Sequence, residues 1–285
     1  MINKKQIKEV NDNGFTIVRG LLNKKDIKHI FSQLDNVLDT ILDFNKIKYK
    51  RKLSVDDKYF LLRKKKPKLK SHFWDSIRIL DSLNNIVFSK KILELVKKIL
   101  NKKAVFVTNY RLVTDNKLEP GNLALHQELN NISNDSILLW CPFVKVNKKK
   151  GGLCVIPGSH KFGHLFYKDS KIPAHYYKVG IVKNILKNKE NVNYRNSIVK
   201  KLFNKKNLYF PNLNPGDAIL FKNFLFHGSI PYVGKGIRWT LISNFHKINK
   251  TPYILNENFK SDKKYKLEMN RPMRIPYNAN YNKII

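Results

Sequence analysis

Cysteine is nearly absent from this chain: its 285 residues hold two, Cys141 in "LLWCPF" and Cys154 in "GGLCVIP". Two thiols inside apolar runs exclude a disulfide framework and a Cys-rich zinc site, and read as buried core residues. Long hydrophobic runs are also missing. No stretch approaches the roughly 18 apolar residues of a membrane helix. The start, "MINKKQIKEV", is basic without a following apolar segment, so no secretory signal is expected and the cytoplasm is the expected location. Acidic residues are scarce, 21 against 56 Lys and Arg, for a net charge of +35. Arg itself is scarce, nine of those 56. Nucleic-acid readers favour Arg forks and aromatic stacking. A Lys excess scattered among Asn and Ile fits AT-rich codon usage better, so nucleic acid is not expected as a partner. The densest runs, "RKKKPKLK" (63–70) and "NKKK" (147–150), read as solvated loops, and an anionic substrate is compatible with this surface.

With 42% hydrophobic residues the chain can still bury a sizeable core. Ile7 and Val10 at helical spacing, with Gly14 at a C-cap position, predict a short helix, and "FTIVRG" a strand. Asn23 caps a longer helix in which Ile27, Ile30, Phe31, Leu34, Val37, Leu38 and Ile41 recur every three or four residues. Residues 45–70 are basic and poorly periodic, and are expected to be irregular. "DSIRILDSLNNIVFSKKILELVKKILN" predicts one or two further helices, the second capped by Ser89. After residue 103 the texture changes. "AVFVTNYRLV", "NLALHQE", "SILLWCPFVKV", "GGLCVIP", "GDAILF", "FLFHGSI" and "GIRWTLISNFH" are short β-type runs separated by turn residues, the pattern of an all-β sandwich or barrel. The expected organisation is one domain over 1–285. It comprises a helical support layer (1–103), a β core (104–247) interrupted at 165–206, and an irregular tail (248–285).

"HQE" is the one place where a carboxylate follows two residues after a His, a triplet that chance could supply. On a strand, His126 and Glu128 would share a face and could hold one metal ion together. A third ligand would come from His160, His164, His175, His227 or His246. His227 stands out, at the end of a β-run and before a Gly-Ser turn. Two His and a carboxylate form the facial triad of non-haem Fe(II) oxygenases, which leaves positions open for a chelating keto acid and O2. The far carboxylate of such an acid needs a cation. Arg238, eleven residues after His227 inside an apolar strand, is the candidate, because an unpaired buried charge there would be costly.

The ordered set "HQE", "LLW", "GGLCVIPGSHKFG" and "FHGSIPYVGKGIRWTL", with the opening "NGFTIVRGLLNKKDI", resembles the phytanoyl-CoA dioxygenase family across most of residues 10–247. The resemblance implies a mainly β fold with a helical N-terminal layer, the double-stranded β-helix (a cupin-like jelly roll). It implies an Fe(II)- and 2-oxoglutarate-dependent oxygenase acting with O2 on a small-molecule or carrier-linked substrate. Carried over by position, His126, Glu128 and His227 would be the iron ligands. Arg238 and Ser229 would hold the distal carboxylate of 2-oxoglutarate, and Gln127 and Trp140 would line the cofactor or substrate pocket. The family's usual triplet is His-x-Asp. Glu128 keeps the charge and donor type with one methylene more, so ligation is expected. Related halogenases lack this carboxylate, so its presence points to hydroxylation. Beside this stands a non-catalytic metal- or ligand-binding β-helix, for which Glu128 in place of Asp is the best support. His160 in "PGSH" reads as a turn residue, and His164, His175 and His246 as surface or insertion residues.

Overall fold

Asn3 and Asn23 each open a helix by the same device. Their side chains accept the backbone N–H three residues on, and Gln6 and Asp26 reach back to the cap N–H in reciprocal capping boxes. The structure, a computed structural model, describes residues 3–78, 80–120, 123–128, 136–162 and 207–247, and for 108, 109, 123–126 and 162 the backbone alone. Residues 1–248 form one compact unit. The expected insertion and tail lie outside the described residues.

Helix α1 (Lys4–Asn13) ends at Gly14, whose φ of 85° lets its N–H return to the Val10 carbonyl. A Cβ at Gly14 would lie 2.5 Å from the His160 ring, so this junction needs glycine twice over. Strand β1 (Phe15–Val18) follows, then α2 (Lys24–Phe44), which buries Ile30, Leu34, Leu38 and Leu42 along one stripe. The stretch 45–70, expected to be irregular, holds α3 (Val55–Lys65), a short 3-10 turn and the start of α4 (Lys70–Ile77). Its periodicity is hidden because α3 is fixed by charge as well as by apolar burial. Lys58 is buried, and its ammonium lies 2.7 Å from Asp35 and 2.8 Å from Asp39 on α2. Helices α5 (Asp81–Val87) and α6 (Lys90–Leu100) complete the layer, the latter capped by Ser89 as expected.

All seven predicted β-runs are strands: β2 (Val105–Asp115), β3 (Leu123–His126), β4 (Ser136–Pro142), β5 (Gly152–Val155), β6 (Ala218–Lys222), β7 (His227–Ile230) and β8 (Arg238–Lys247). They form two antiparallel sheets, β1-β6-β4-β8-β2 and β3-β7-β5. Alternation along the larger sheet sorts its side chains to two faces. Ile137, Leu139, Cys141, Leu220, Trp239 and Leu241 pack with the helices. Leu138, Trp140, Ile219 and Phe221 pack with Leu153 and Val155 of the smaller sheet. The second face, between the sheets, is where β7 and the start of β8 deliver their polar residues. Cys141 and Cys154 are both buried free thiols.

His246, near the end of β8, is buried with its ring stacked on Phe106 at 5.2 Å. Burial pushes this imidazole down to about 4, against an ordinary value near 6.5. The unfolded chain therefore takes up a proton that the folded chain refuses. Stability is complete above pH 6.5 and declines as pH falls toward 4, by about 2 kcal/mol at pH 5. His160, also held low by burial, adds to the decline. Urea denaturation at pH 7, 6 and 5 is expected to show this slope, and His246→Gln to flatten most of it. An unchanged slope in the variant would refute the assignment.

Candidate metal centre

The sequence places His126 and Glu128 together on one strand, but β3 ends at His126, whose backbone lies opposite His227. The register shifts between Leu123 and His126, and the chain beyond turns to a different partner. The Glu128 N–H donates to the Asn223 carbonyl at 3.0 Å, and the Gln127 amide donates to the Phe224 carbonyl at 2.7 Å. Gln127, expected to line a pocket, is thus buried as a tie to the loop that leads into His227.

That tie brings Glu128 to His227. Their Oε1 and Nε2 atoms are 3.4 Å apart, with His227 almost fully buried. The imidazole is oriented from behind: Nδ1 lies 2.9 Å from the Leu225 carbonyl and the ring packs on Phe221 at 4.6 Å. A carbonyl only accepts, so Nδ1 carries a proton, and Nε2 is the ring nitrogen turned to Glu128. Nε2 and the Glu128 carboxylate face each other at 3.4 Å, an arrangement that a shared cation, a metal ion or a proton, satisfies. Imidazole plus carboxylate is a donor pair that Fe(II) accepts, as do other first-row divalent metals, so the residues present fit a metal. Among the described residues no third His, Cys, Asp or Glu side chain completes a group of three. The backbone of His126 lies across from His227.

Arg238 starts β8 and is buried, with 4% exposure. It is not the lone cation the sequence suggested. Its Nη2 lies 2.9 Å from Oδ2 of Asp115, the residue that ends β2 and faces it across the ladder, and which has 0% exposure. The guanidinium sits 5.5 Å from the centre of the Trp140 ring, and Nη1 makes a long 3.5 Å contact with the Ile230 carbonyl on β7. Nε is buried without a hydrogen-bond partner. Burial pulls the Arg238 pKa down, and the Asp115 charge opposes that pull. An unsatisfied buried N–H beside an aromatic wall fits an incoming carboxylate, which would share the cation with Asp115. Ser229 is buried on β7, two residues after His227 and therefore on the same strand face.

Asp115 escaped the sequence reading. It stands where an apolar strand, "RLVTD", gives way to a turn, and an acid there reads as a turn residue. Its carboxylate also accepts the Tyr232 N–H at 2.8 Å, so it fixes the segment between β7 and β8. His160 is structural, as expected: it lies in a 3-10 turn with Nε2 3.0 Å from the Asn11 carbonyl. His246 is not the surface or insertion residue expected: it is buried on β8, at the far end from Arg238. His164 and His175 lie outside the described residues.

A family model described as phytanoyl-CoA dioxygenase matches residues 10–240. Among solved structures, the chain is similar to the epimerase SnoN in complex with Fe3+, α-ketoglutarate and nogalamycin RO. The identity is 10%, over 86% of this chain and 83% of that one, with a TM-score of 0.54. The non-heme monooxygenase ThoJ is 12% identical over 85% and 77% of the two chains, with a TM-score of 0.55. HygX from Streptomyces hygroscopicus, with nickel and 2-oxoglutarate bound, is 11% identical over 87% of each, with a TM-score of 0.53. A comparison with curated protein sequences gives no match. At these identities the structural likeness establishes the fold, a cupin-like jelly roll with an added helical layer.

The buried pair makes a stability prediction. Asp115→Asn keeps an acceptor for the Tyr232 N–H but leaves the Arg238 charge uncompensated, which costs about 3 kcal/mol. The double variant Asp115→Leu/Arg238→Met, which removes both charges, is expected to lose less than the single. Chemical denaturation of the two variants tests this, and a single variant as stable as the wild type would contradict it.

Proposed function

The chain belongs to the phytanoyl-CoA dioxygenase family, and from that premise we propose that it is an Fe(II)- and 2-oxoglutarate-dependent oxygenase that hydroxylates a C–H bond. Its substrate is a small-molecule or carrier-linked compound, and succinate and CO2 leave as co-products. The observation that carries the reading is the convergence of Glu128 on the Nε2 side of a buried, oriented His227. His126, Glu128 and His227 would hold the iron. When bound, Fe(II) together with 2-oxoglutarate supplies an oxidant able to break an unactivated C–H bond with O2.

The protein's own groups do the remaining work. The Leu225 carbonyl holds a proton on His227 Nδ1, so Nε2 is the nitrogen available to a metal. Arg238 would offer its unsatisfied Nε–H to the distal carboxylate of 2-oxoglutarate, with Ser229 as a second donor and Trp140 as the wall beside it. Phe221, Leu138, Leu153 and Val155 make the space between the sheets apolar and exclude water. No side-chain general base is required.

A second reading, a jelly roll that binds metal or ligand without turnover, has one specific observation in its favour. The Arg238 charge is already matched by Asp115, so a dicarboxylate gains less there than at an unpaired Arg.

Anaerobic titration separates the readings. The wild type is expected to bind Fe(II) and then 2-oxoglutarate, and to form succinate with a turned-over substrate. His227→Ala and Glu128→Gln are expected to weaken metal binding at least roughly tenfold, and Glu128→Asp, which keeps the charge but draws the oxygen back from His227, to weaken it less. Because SnoN, on the same fold, is an epimerase, product mass distinguishes added oxygen from rearrangement. Failure of 2-oxoglutarate to bind the iron-loaded protein would overturn the oxygenase assignment. Binding without succinate formation across a substrate panel would favour the second reading.

A further inference from the structure

A cavity of about 300 Å3 opens between α4 and β2, away from the Glu128–His227 pair and sharing no residue with it. On one side stand Trp74 and the buried Ile77 from α4. On the other are β2 residues including Arg111, with Lys70, Arg78 and Glu119 around the rim. Among the described residues β2 is an edge strand that pairs with β8 alone, and its residues 111–114 line this cleft.

The charges do not balance. Three cations line the cavity and one carboxylate answers them. That carboxylate is already engaged: Glu119 pairs with Lys70 and with Arg63, the latter at 2.6 Å, and accepts the Tyr59 hydroxyl at 2.9 Å. Burial pushes the Glu119 carboxyl up, but the Lys70 and Tyr59 hydrogen bonds and the Lys70 and Arg63 charges outweigh it and hold it below the usual range. Glu119 therefore stays ionised and committed to Arg63, Lys70 and Tyr59. Arg78 has only a 3.9 Å contact with Asp75, on a mostly exposed pair. Arg111 has no carboxylate partner at all among the described residues. Two guanidinium groups are thus left over in a concave site.

The opposite wall is rigid and flat. Trp74 is held by Tyr59 at 6.4 Å, Phe73 at 5.6 Å and Trp239 at 6.4 Å, so its indole is fixed by a buried aromatic cluster. A bare anion such as phosphate would leave that wall and Ile77 uncovered. An apolar molecule would leave both guanidiniums unanswered. The volume is at the lower end for small-ligand sites, enough for a compact organic acid and too small for a folded partner's loop.

We propose that this cleft binds a small organic anion: a carboxylate or phosphate ester on a flat apolar body. The anionic group lies at Arg78 and Arg111, where planar forks suit both oxyanion types, and the body lies along Trp74 and Ile77. The site is independent of the oxygenase reading, because none of its residues belongs to the candidate metal centre.

Calorimetric titration of the full, metal-free protein with 2-naphthoate, 1-naphthyl phosphate, 2-naphthamide and inorganic phosphate tests it. Both naphthyl anions are expected to bind. The amide and inorganic phosphate are each expected to be roughly tenfold weaker, since each lacks one half of the recognition. A preference between the two naphthyl anions identifies which oxyanion the site takes. Arg111→Gln and Arg78→Gln change exposed residues and are expected to fold normally, which thermal melting verifies. Each is expected to weaken 2-naphthoate at least about fivefold, with Lys24→Gln, on a remote exposed helix end, leaving it unchanged. If Lys24→Gln weakens binding as much as Arg111→Gln, the effect is the general +35 field and the site is refuted. Equal affinity for naphthamide, or no effect of either Arg change, refutes it as well.

Discussion

The Arg238–Asp115 pair is the constraint on which the architecture around the site depends. It joins the first residue of β8 to the last of β2, at the end of the longest ladder in the larger sheet. Two opposite charges this deeply buried tolerate little displacement, because separating them exposes each to the full cost of desolvation. From that fixed point three further contacts follow. Asp115 takes the Tyr232 N–H and so sets the path of the chain between β7 and β8. Arg238 reaches Ile230 on β7, in the smaller sheet. Its guanidinium lies near the Trp140 ring on β4. Four strands from two sheets are thereby referenced to one guanidinium group.

A buried pair of this kind is weak evidence for stability as such, since a hydrophobic pair of similar volume would hold the sheets as well. What a hydrophobic pair cannot do is present an N–H donor to the space between the sheets. The arrangement makes sense if the cation is needed there and Asp115 keeps it folded in when nothing else pairs with it. The helical layer makes this affordable. By covering the outer face of the larger sheet with Leu, Ile and aromatic side chains, it leaves the inner face free to carry Arg238, Trp140 and other residues that a minimal core would not choose.

Much of this was legible in the sequence, for definite reasons. Strands with Gly, Pro and Asn at their borders announce themselves by period and punctuation, and all seven β-runs were found. Capped amphipathic helices such as α2 and α6 were equally plain. Helix α3 was not, because its stability rests partly on Lys58 meeting Asp35 and Asp39 from another helix, a relation that no local window contains. Asp115 was missed for the same reason: its meaning lies in Arg238, 123 positions away. Glu128 was found by its spacing from His126, yet the geometry that this spacing implied is not the one observed. The pair was expected to share a strand face, and the strand stops one residue after Leu125.

That last difference bears on the methylene by which Glu128 exceeds the family's usual Asp. On a continuous strand an i, i+2 pair is placed by the pleat, and a longer side chain would overshoot. Here the backbone of residue 128 is placed by something else. Its N–H is tied to Asn223, and its neighbour Gln127 is tied to Phe224, four and three residues before His227. Glu128 and His227 are therefore two ends of a short hydrogen-bonded bracket. The distance between their side chains is set by the bracket rather than by the strand, and the 3.4 Å approach is the outcome. With the backbone carried off the strand line, the longer carboxylate is the one that can return to the imidazole. Shortening it to Asp would keep the charge while withdrawing the oxygen from His227, so the identity of this residue and the early end of β3 belong to one adjustment.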